Sequence, residues 1–149
     1  MNALRTNPLK IILADDDADD HFFFSKALEE ITVRTQLTIA EDGEQLMDYL
    51  LKNLKNLPDV LFIDFNMPRK NGAQCLAEIK QHSKLRSIPV IMYSTSCFEQ
   101  IADVLYENGA QYFFRKTTFP ELKKNIDEVL SLIIHDPRQP EREEFIIGF

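Results

Sequence analysis

Four short segments of this sequence are almost continuously hydrophobic rather than alternating between apolar and polar residues. They cover residues 10–14, 60–63, 89–93 and 111–114. Strands that are apolar throughout are normally buried on both faces, as in a parallel sheet covered by helices. A fifth segment, 36–40, is more polar, which is typical of a strand at the edge of a sheet. The pattern therefore predicts a parallel sheet with both faces covered.

The segments between these strands have the apolar spacing of helices. Each places apolar residues three or four positions apart, on one face of a helix. Strand and helix alternate five times, so we expect right-handed crossovers and an open, doubly wound α/β sheet with helices on both faces. The apolar positions are Phe24, Ala27, Leu28 and Ile31; Leu46, Leu50 and Leu54; Ala73, Leu76 and Ile79; Ile101, Val104 and Leu105; and Leu122, Ile126, Val129, Leu130 and Ile133.

The length and charge of the chain limit what it can bind. A chain of 149 residues predicts one compact domain, residues 1–134, and a tail, residues 135–149, that lies outside the core. The formal charge of −7 argues against nonspecific binding to nucleic acid or to an anionic membrane. No apolar run approaches a membrane span of about 18 residues. We expect a cytoplasmic protein in which Cys75 and Cys97 stay reduced.

Reactive or charged side chains follow the four apolar strands at their carboxyl ends. In open α/β sheets, ligands bind at this edge, where the order of the strands reverses. We therefore expect the side chains at the strand ends to share one site. The first strand is followed by Asp15 and Asp16, and the next three are followed by Asp64, Ser94 and Lys116.

These residue types fit the transfer of a phosphoryl group. Crowded carboxylates repel one another unless a cation neutralises them. Magnesium binds one or two carboxylates and reaches phosphate oxygens, an arrangement that Asp16 and Asp64 could supply. The Asp64 carboxylate could attack phosphorus to give an acyl phosphate, while Lys116 and Ser94 bind the phosphoryl oxygens.

Each residue also has a purely structural explanation when it is taken alone. Asp17, Asp19 and Asp20 fit the cap and the first turn of the helix after the first strand, and we assign them that role. The joint occurrence of the other residues at successive strand ends favours a functional site. Their structural alternatives are a turn for Asp64, a helix cap for Ser94 and a solvated surface position for Lys116.

In combination, these motifs resemble the receiver domains of two-component response regulators. The resemblance implies a flavodoxin-like fold with a five-stranded parallel sheet in the order 2-1-3-4-5. Residues 11–17 resemble the family's first strand with its acidic pair, residues 60–68 with Asn71 and Gly72 its phosphoacceptor segment, residues 89–95 its fourth strand and residues 109–116 its fifth.

The resemblance also implies roles for the acidic residues. Asp64 would be the phosphoacceptor and a ligand of Mg²⁺ or Mn²⁺. Asp16 would bind the metal directly, and Asp15 would act mainly through metal-bound water. The backbone carbonyl of Asn66 would complete the metal site.

Three further positions match the family, and one differs from it. Lys116 would bind the phosphoryl group, while Ser94 and Phe113 would be the switch residues that respond to it. The family usually has a proline in a cis bond after this lysine, whereas Thr117 follows here. Because of this difference and the long connection at 51–58, the chain most resembles the phytochrome-associated response regulators.

The implied function is a signalling phosphoacceptor and not an enzyme with a separate substrate. Its phosphoryl donor would be a sensor histidine kinase or a histidine phosphotransfer protein, and its output would be binding of an unknown partner or onward transfer of phosphate. The resemblance also allows a homodimer.

Two other functions are compatible with parts of the pattern. A phosphatase of the haloacid-dehalogenase type would use Asp15 as nucleophile in an Asp-x-Asp motif that ends at Asp17, but the Gly-Thr that usually follows is missing. A binding module with a receiver fold would not use phosphorylation at all. The complete set of site residues counts against that second alternative.

Overall fold

The parallel sheet expected from the sequence is present and has one strand more than predicted. A computed structural model describes residues 7–95 and 99–148. The strands are β1 (Leu9–Ala14), β2 (Thr35–Ala40), β3 (Val60–Asp64), β4 (Val90–Ser94), β5 (Tyr112–Arg115) and β6 (Ile146–Ile147). All neighbouring strands are parallel, and their order is β2-β1-β3-β4-β5-β6.

Side chains cap the beginnings of three helices, at Asp17, Asp42 and Asn71. The Asp17 side chain accepts from the backbone N–H of Asp19 at 2.8 Å. Asn71 and Gln74 form a reciprocal capping box, which satisfies two N–H groups that the helix itself leaves unpaired. The helices are α1 (Ala18–Glu30), α2 (Gly43–Lys52), α3 (Gly72–Gln81), α4 (Glu99–Glu107) and α5 (Phe119–His135), with a short 3-10 helix at Arg142–Glu144.

The core has two layers, one on each face of the sheet. Phe24 of α1 and Ile126 of α5 pack on the face that carries Leu13, whereas Leu46 of α2 and Leu76 of α3 pack on the opposite face. Successive strand residues point to opposite faces, so strands with helices on both sides are apolar throughout. The predicted doubly wound α/β class and the edge position of β2 are confirmed.

The C-terminal tail contradicts the prediction that it lies outside the core. Phe145 is completely buried, and Ile146–Ile147 forms β6 beside β5. The backbone N–H of Phe113 donates to the carbonyl oxygen of Phe145 at 3.1 Å. An exposed sheet edge carries unpaired backbone groups, and the tail satisfies them. The prediction of a five-stranded sheet is corrected to six strands for the same reason.

Side chains fix the tail to α4 as well as to the sheet. Arg142 forms ion pairs with Glu99 at 2.9 Å and with Asp103 at 2.8 Å. The Tyr106 hydroxyl donates to the carbonyl oxygen of Pro140 at 2.6 Å. The tail is thus held through polar contacts on one side and through Phe145 on the other.

Two further predictions from the sequence concern the cysteine thiols and membrane-spanning helices. Cys75 forms no disulfide and is buried, and burial raises the pKa of its thiol to about 12. Cys97 lies outside the described residues. In the described part of the chain, no helix combines the length and apolarity needed to cross a bilayer.

Candidate functional site

The carboxyl ends of β1, β3, β4 and β5 lie side by side at one edge of the sheet. The strand register pairs Ala14 with Ile63 and Asp64 with Tyr93. Residues directly after β1 and at the end of β3 therefore reach the same place. The convergence expected from the sequence is present, because Lys116 contacts carboxylates that follow β1 and end β3.

Three carboxylates meet at this edge. One oxygen from each of Asp15, Asp16 and Asp64 lies within 4.8 Å of the other two. Asp15 is completely buried and Asp64 nearly so, whereas Asp16 is exposed. Oxygen ligands of this kind suit a hard cation such as Mg²⁺ or Mn²⁺, which also binds water or phosphate oxygens. The donor set therefore fits a divalent metal ion.

The environment of Asp64 changes its affinity for protons. Burial raises the pKa of the Asp64 carboxyl from 3.8 to about 6, and the charge of Asp15 adds to this rise. Lys116 and the backbone N–H of Asn66 act in the opposite direction, the latter by donating to Asp64 Oδ1 at 3.1 Å. Since the resulting pKa is below 7, the group is ionised at neutral pH and available as a nucleophile.

Lys116 is the cation at the centre of the site. Its Nζ lies 3.1 Å from both Asp15 Oδ2 and Asp64 Oδ2 and 2.7 Å from Asp20 Oδ2. Burial alone would lower the pKa of this ammonium, but the surrounding carboxylates outweigh that effect and raise it. Lys116 therefore stays charged at physiological pH.

Asp20 is a site residue that the sequence interpretation missed. It lies in the first turn of α1, as predicted, but its side chain accepts a hydrogen bond from Lys116. Burial raises the pKa of Asp20, and the hydrogen bond from Lys116 opposes the rise. The sequence contains no local signal for this contact, because the partner Lys116 lies 96 residues further along the chain.

Tyr93 is a second residue that sequence reasoning did not find. Its hydroxyl donates to Asp15 Oδ2, and Lys116 Nζ lies 4.7 Å from the centre of its ring. Burial raises the pKa of Tyr93 well above its ordinary value, so the hydroxyl keeps its proton. In the sequence, Tyr93 belongs to an apolar strand run, where an aromatic residue is usually a core residue.

The proposed switch residues lie beside the site and beneath the tail. Ser94 is buried, and Asn66 Nδ2 donates to its Oγ at 3.5 Å. Phe113 is completely buried, and its ring centre lies 6.3 Å from that of Phe145. The Phe113 side chain is therefore enclosed on one side by the tail, an arrangement that the sequence pattern did not indicate.

Thr117 stands where the family usually has proline, and no cis peptide bond precedes it. The peptide bond between Lys116 and Thr117 is trans, and the backbone N–H of Lys116 donates to the carbonyl oxygen of Ser94 at 2.7 Å. Lys116 reaches Asp64 from a backbone in the ordinary trans conformation.

The geometry does not favour Asp15 as the nucleophile of a phosphatase. Asp15 is completely buried, and its Oδ1 accepts from the backbone N–H of Asp17 at 2.9 Å. Its Oδ2 is occupied by Tyr93 and Lys116. Asp64 is also engaged at both oxygens, by Asn66 and Lys116. Asp15 has a third contact and is completely buried, whereas Asp64 is 4% exposed, so Asp64 is the better placed of the two to attack a substrate.

Comparison with known proteins places most of the chain in one family. A sequence model described as "Response regulator receiver domain" matches residues 11–127. The response regulator Rcp1 of Synechocystis is 32% identical over 117 residues, which cover 75% of this chain and 80% of that protein. The probable methanogenesis regulatory protein FilR2 of Methanothrix harundinacea is 26% identical over 127 residues, covering 83% and 82% of the two chains.

Solved structures give the same result. The phosphorylated cyanobacterial phytochrome response regulator RcpA superimposes with a TM-score of 0.77 and 28% identity, over 86% of this chain and 95% of that one. The Mn²⁺-bound form of Rcp1 also has a TM-score of 0.77 and 28% identity, over 89% and 99% of the two chains. The predicted similarity to phytochrome-associated regulators is confirmed, and the chain belongs to the response regulator receiver domain family.

Proposed function

We propose that Asp64 is the phosphoacceptor of this receiver and that a histidine kinase or a histidine phosphotransfer protein supplies the phosphoryl group. The observation that carries this proposal is the contact between Asp64 and Lys116 at 3.1 Å inside a cluster of three carboxylates. A nucleophile and a fixed cation are thus adjacent at the edge of the sheet where ligands bind.

The chemistry follows from these residues. An Asp64 oxygen forms a bond to phosphorus while the bond from phosphorus to the donor histidine nitrogen breaks. The imidazole leaves with the electron pair and takes up a proton. Lys116 and the Ser94 hydroxyl bind the phosphoryl oxygens, where negative charge is concentrated.

The metal ligands in this proposal are Asp15, Asp16, Asp64 and the backbone carbonyl of Asn66. Bound Mg²⁺ or Mn²⁺ would neutralise the carboxylates and the incoming phosphoryl oxygens. Without a metal ion, the buried carboxylates of Asp15 and Asp64 repel each other, and Lys116 is the positive charge beside them. The donor set and this unbalanced charge support the assignment.

The switch in this proposal consists of Ser94 and Phe113. Phosphorylation adds charge and strong acceptor oxygens next to the Ser94 hydroxyl, which would move toward them. Phe113 would then follow into the space that Ser94 leaves. The surface of α4, β5 and α5 would change with it, and a partner protein or a phosphorelay would receive the signal.

The wider setting of the function is inferred from sequence and family. We assign the receiver to residues 1–134 and treat residues 135–149 as a segment appended to it. We place the protein in the cytoplasm, with protein partners and no nucleic-acid or membrane partner, and a homodimer is compatible with this assignment. A phytochrome-type kinase is the first donor to test, because RcpA is a phytochrome response regulator.

The test of the phosphoacceptor is a mass measurement. The protein is incubated with Mg²⁺ and a small phosphodonor, and the modified residue is mapped after cleavage. We expect one phosphoryl group on Asp64, loss of labelling in Asp64→Asn, and unchanged labelling in Asp127→Asn, which replaces an exposed aspartate of α5. Full labelling of Asp64→Asn would contradict the proposal.

Assays of phosphate release and of metal binding separate the two alternatives. Steady release of phosphate from an ester by Asp64→Asn, lost in Asp15→Asn, would indicate a phosphatase that uses Asp15. Absence of both metal binding and labelling in the parent protein would indicate a receiver-fold binding module.

A further inference from the structure

Tyr93 occupies an unusual place for a core tyrosine. It lies in β4 directly opposite Asp64 in the strand register, and only 2% of it is exposed. Its ring packs on the α1 and α5 face of the sheet, 5.6 Å from Phe114 and 6.3 Å from Phe24. Its hydroxyl, however, reaches the edge where the carboxylates meet. One side chain therefore joins the core to the functional site.

The two ends of this side chain contact two different site residues. The hydroxyl donates to Asp15 Oδ2, while Asp15 Oδ1 accepts from the backbone N–H of Asp17. The Asp15 carboxylate is therefore fixed at both oxygens. The face of the ring lies 4.7 Å from Lys116 Nζ, within the distance at which a cation is attracted to an aromatic face.

We propose that Tyr93 is a positioning residue that orients Asp15 for metal binding and supports the Lys116 ammonium beside Asp64. This inference rests on the proposed function of the site. A buried tyrosine needs a hydrogen-bond partner, and a backbone carbonyl would serve for stability alone. Here the partner is a carboxylate of the metal site. Hydrogen bonds of this kind orient metal-binding side chains, and their loss typically costs about 10–100-fold in metal affinity.

Replacement by phenylalanine separates the two contacts. Tyr93→Phe keeps the ring, its packing and its position under Lys116, and removes only the hydrogen bond to Asp15. We expect the dissociation constant for Mn²⁺ to rise by about tenfold or more. Transfer from a small phosphodonor at saturating metal should change much less, because Asp64, Lys116 and the ring stay in place.

Mn²⁺ binding is measured from the electron paramagnetic resonance signal of the free ion, in the absence of phosphodonor. Tyr112→Phe is the matched control, because Tyr112 is a buried tyrosine of the neighbouring strand and donates to no site carboxylate in the part of the chain that the structure describes. Its Mn²⁺ affinity should equal that of the parent. An affinity of Tyr93→Phe within about twofold of the parent would overturn the inference.

A double-mutant cycle with Asp15→Asn tests whether Tyr93 acts through Asp15. If it does, Tyr93→Phe has no further effect on Mn²⁺ affinity once Asp15 is replaced. Equal effects of Tyr93→Phe in both backgrounds would show that the hydroxyl acts elsewhere and would overturn the assignment.

A measurement on the parent protein covers the case in which Tyr93→Phe does not fold. The chain has four tyrosines, so meta-fluorotyrosine gives four fluorine resonances, and phenylalanine variants of Tyr49, Tyr106 and Tyr112 assign the fourth to Tyr93. We expect Mg²⁺ to shift the Tyr93 resonance more than the other three. No shift at Tyr93, in a protein that binds Mg²⁺, would contradict the inference.

These results distinguish the inference from the proposed function. A parent protein that binds no Mn²⁺ and is not labelled on Asp64 would remove the function itself. A parent that does both, with a Tyr93→Phe variant of equal Mn²⁺ affinity, would remove only the role of Tyr93.

Discussion

The site at the carboxyl edge of the sheet and the C-terminal tail differ in that the site could be predicted from the sequence, whereas the position of the tail could not. The charged residues at the edge indicate a site through their joint occurrence at successive strand ends, and strand order brings Asp15, Asp64 and Lys116 together. The tail has no periodicity, and its regular structure is a 3-10 helix and a strand of two residues. Its position depends on a vacant sheet edge and on partners far away in the chain.

The difference shows which features of a sequence can be interpreted locally. A parallel strand that ends in a charged residue places that residue at a known edge, whatever the details of packing. A short apolar segment such as Phe145–Ile147 can dock, fray or bind a partner, because its burial depends on the free energy of a few contacts. We therefore expect substitutions at the edge to change the rate of phosphorylation, and substitutions in the tail to change the free energy of unfolding.

The largest expected effect comes from removing the cation of the site. Lys116→Met keeps an extended side chain but removes the charge 3.1 Å from Asp64, and we expect the rate of phosphorylation to fall by about a hundredfold or more. The measurement is the initial rate of labelling with a small phosphodonor and Mg²⁺. Lys123→Met is the control, because this half-exposed lysine pairs with Glu30 away from the site. Equal rates in the parent and Lys116→Met would remove Lys116 from the mechanism.

The next effect concerns the tail. Phe145 is completely buried against Phe113 and Tyr106, so Phe145→Ala should lower the free energy of unfolding by about 3–5 kcal/mol. Urea unfolding measures this change. Phe22→Ala, at a site that is 61% exposed, should cost far less. If the two variants lose the same stability, the tail is not docked in solution.

A smaller effect is the pH dependence that Asp64 gives to the free energy of unfolding of the metal-free protein. Its pKa rises from 3.8 when unfolded to about 6 when folded. The folded state therefore holds the proton more tightly, and this contribution to stability is complete below pH 3.8 and is lost as the pH rises through about 6. Its size is on the order of 3 kcal/mol.

A comparison of the parent with Asp64→Asn measures this contribution of Asp64 to stability. The free energy of unfolding without metal, followed from about pH 4 to pH 7, should fall more steeply in the parent, because asparagine does not ionise there. Adding Mg²⁺ should stabilise the parent most above pH 6, where Asp64 no longer holds a proton. Parallel pH profiles for the two proteins would show that the pKa of Asp64 is not raised.

The smallest effect should come from the ion pairs of the tail. Arg142 contacts Glu99 and Asp103 on the surface, and exposed pairs contribute about 1 kcal/mol or less. Arg142→Ala should therefore destabilise the protein slightly, and less so at high salt. Arg138→Ala, which removes an ion pair confined to the tail itself, is the control. A loss from Arg142→Ala as large as that from Phe145→Ala would mean that polar contacts hold the tail.

Most of the fold and the principal site residues could be predicted from the sequence. The apolar runs specified the buried strands, the helical spacing specified the covering layers, and the strand ends pointed to Asp15, Asp16, Asp64, Ser94 and Lys116. The structure brings the three aspartates and Lys116 together. These inferences worked because strand and helix periods and the geometry of parallel sheets are properties of the backbone.

The tertiary structure alone decided the places of Asp20, Tyr93 and the tail. Asp20 resembled an ordinary residue of a first helical turn, and Tyr93 resembled an ordinary core aromatic. Their contacts with Lys116 and Asp15 join positions far apart in the chain, and no local pattern encodes the direction of a side chain toward such a partner. Burial of Phe145 likewise depends on contacts with β5 and α4, which are distant in the chain. The sequence by itself determined the elements and the edge where they end, while long-range packing decided which further side chains reach that edge and what covers the last strand.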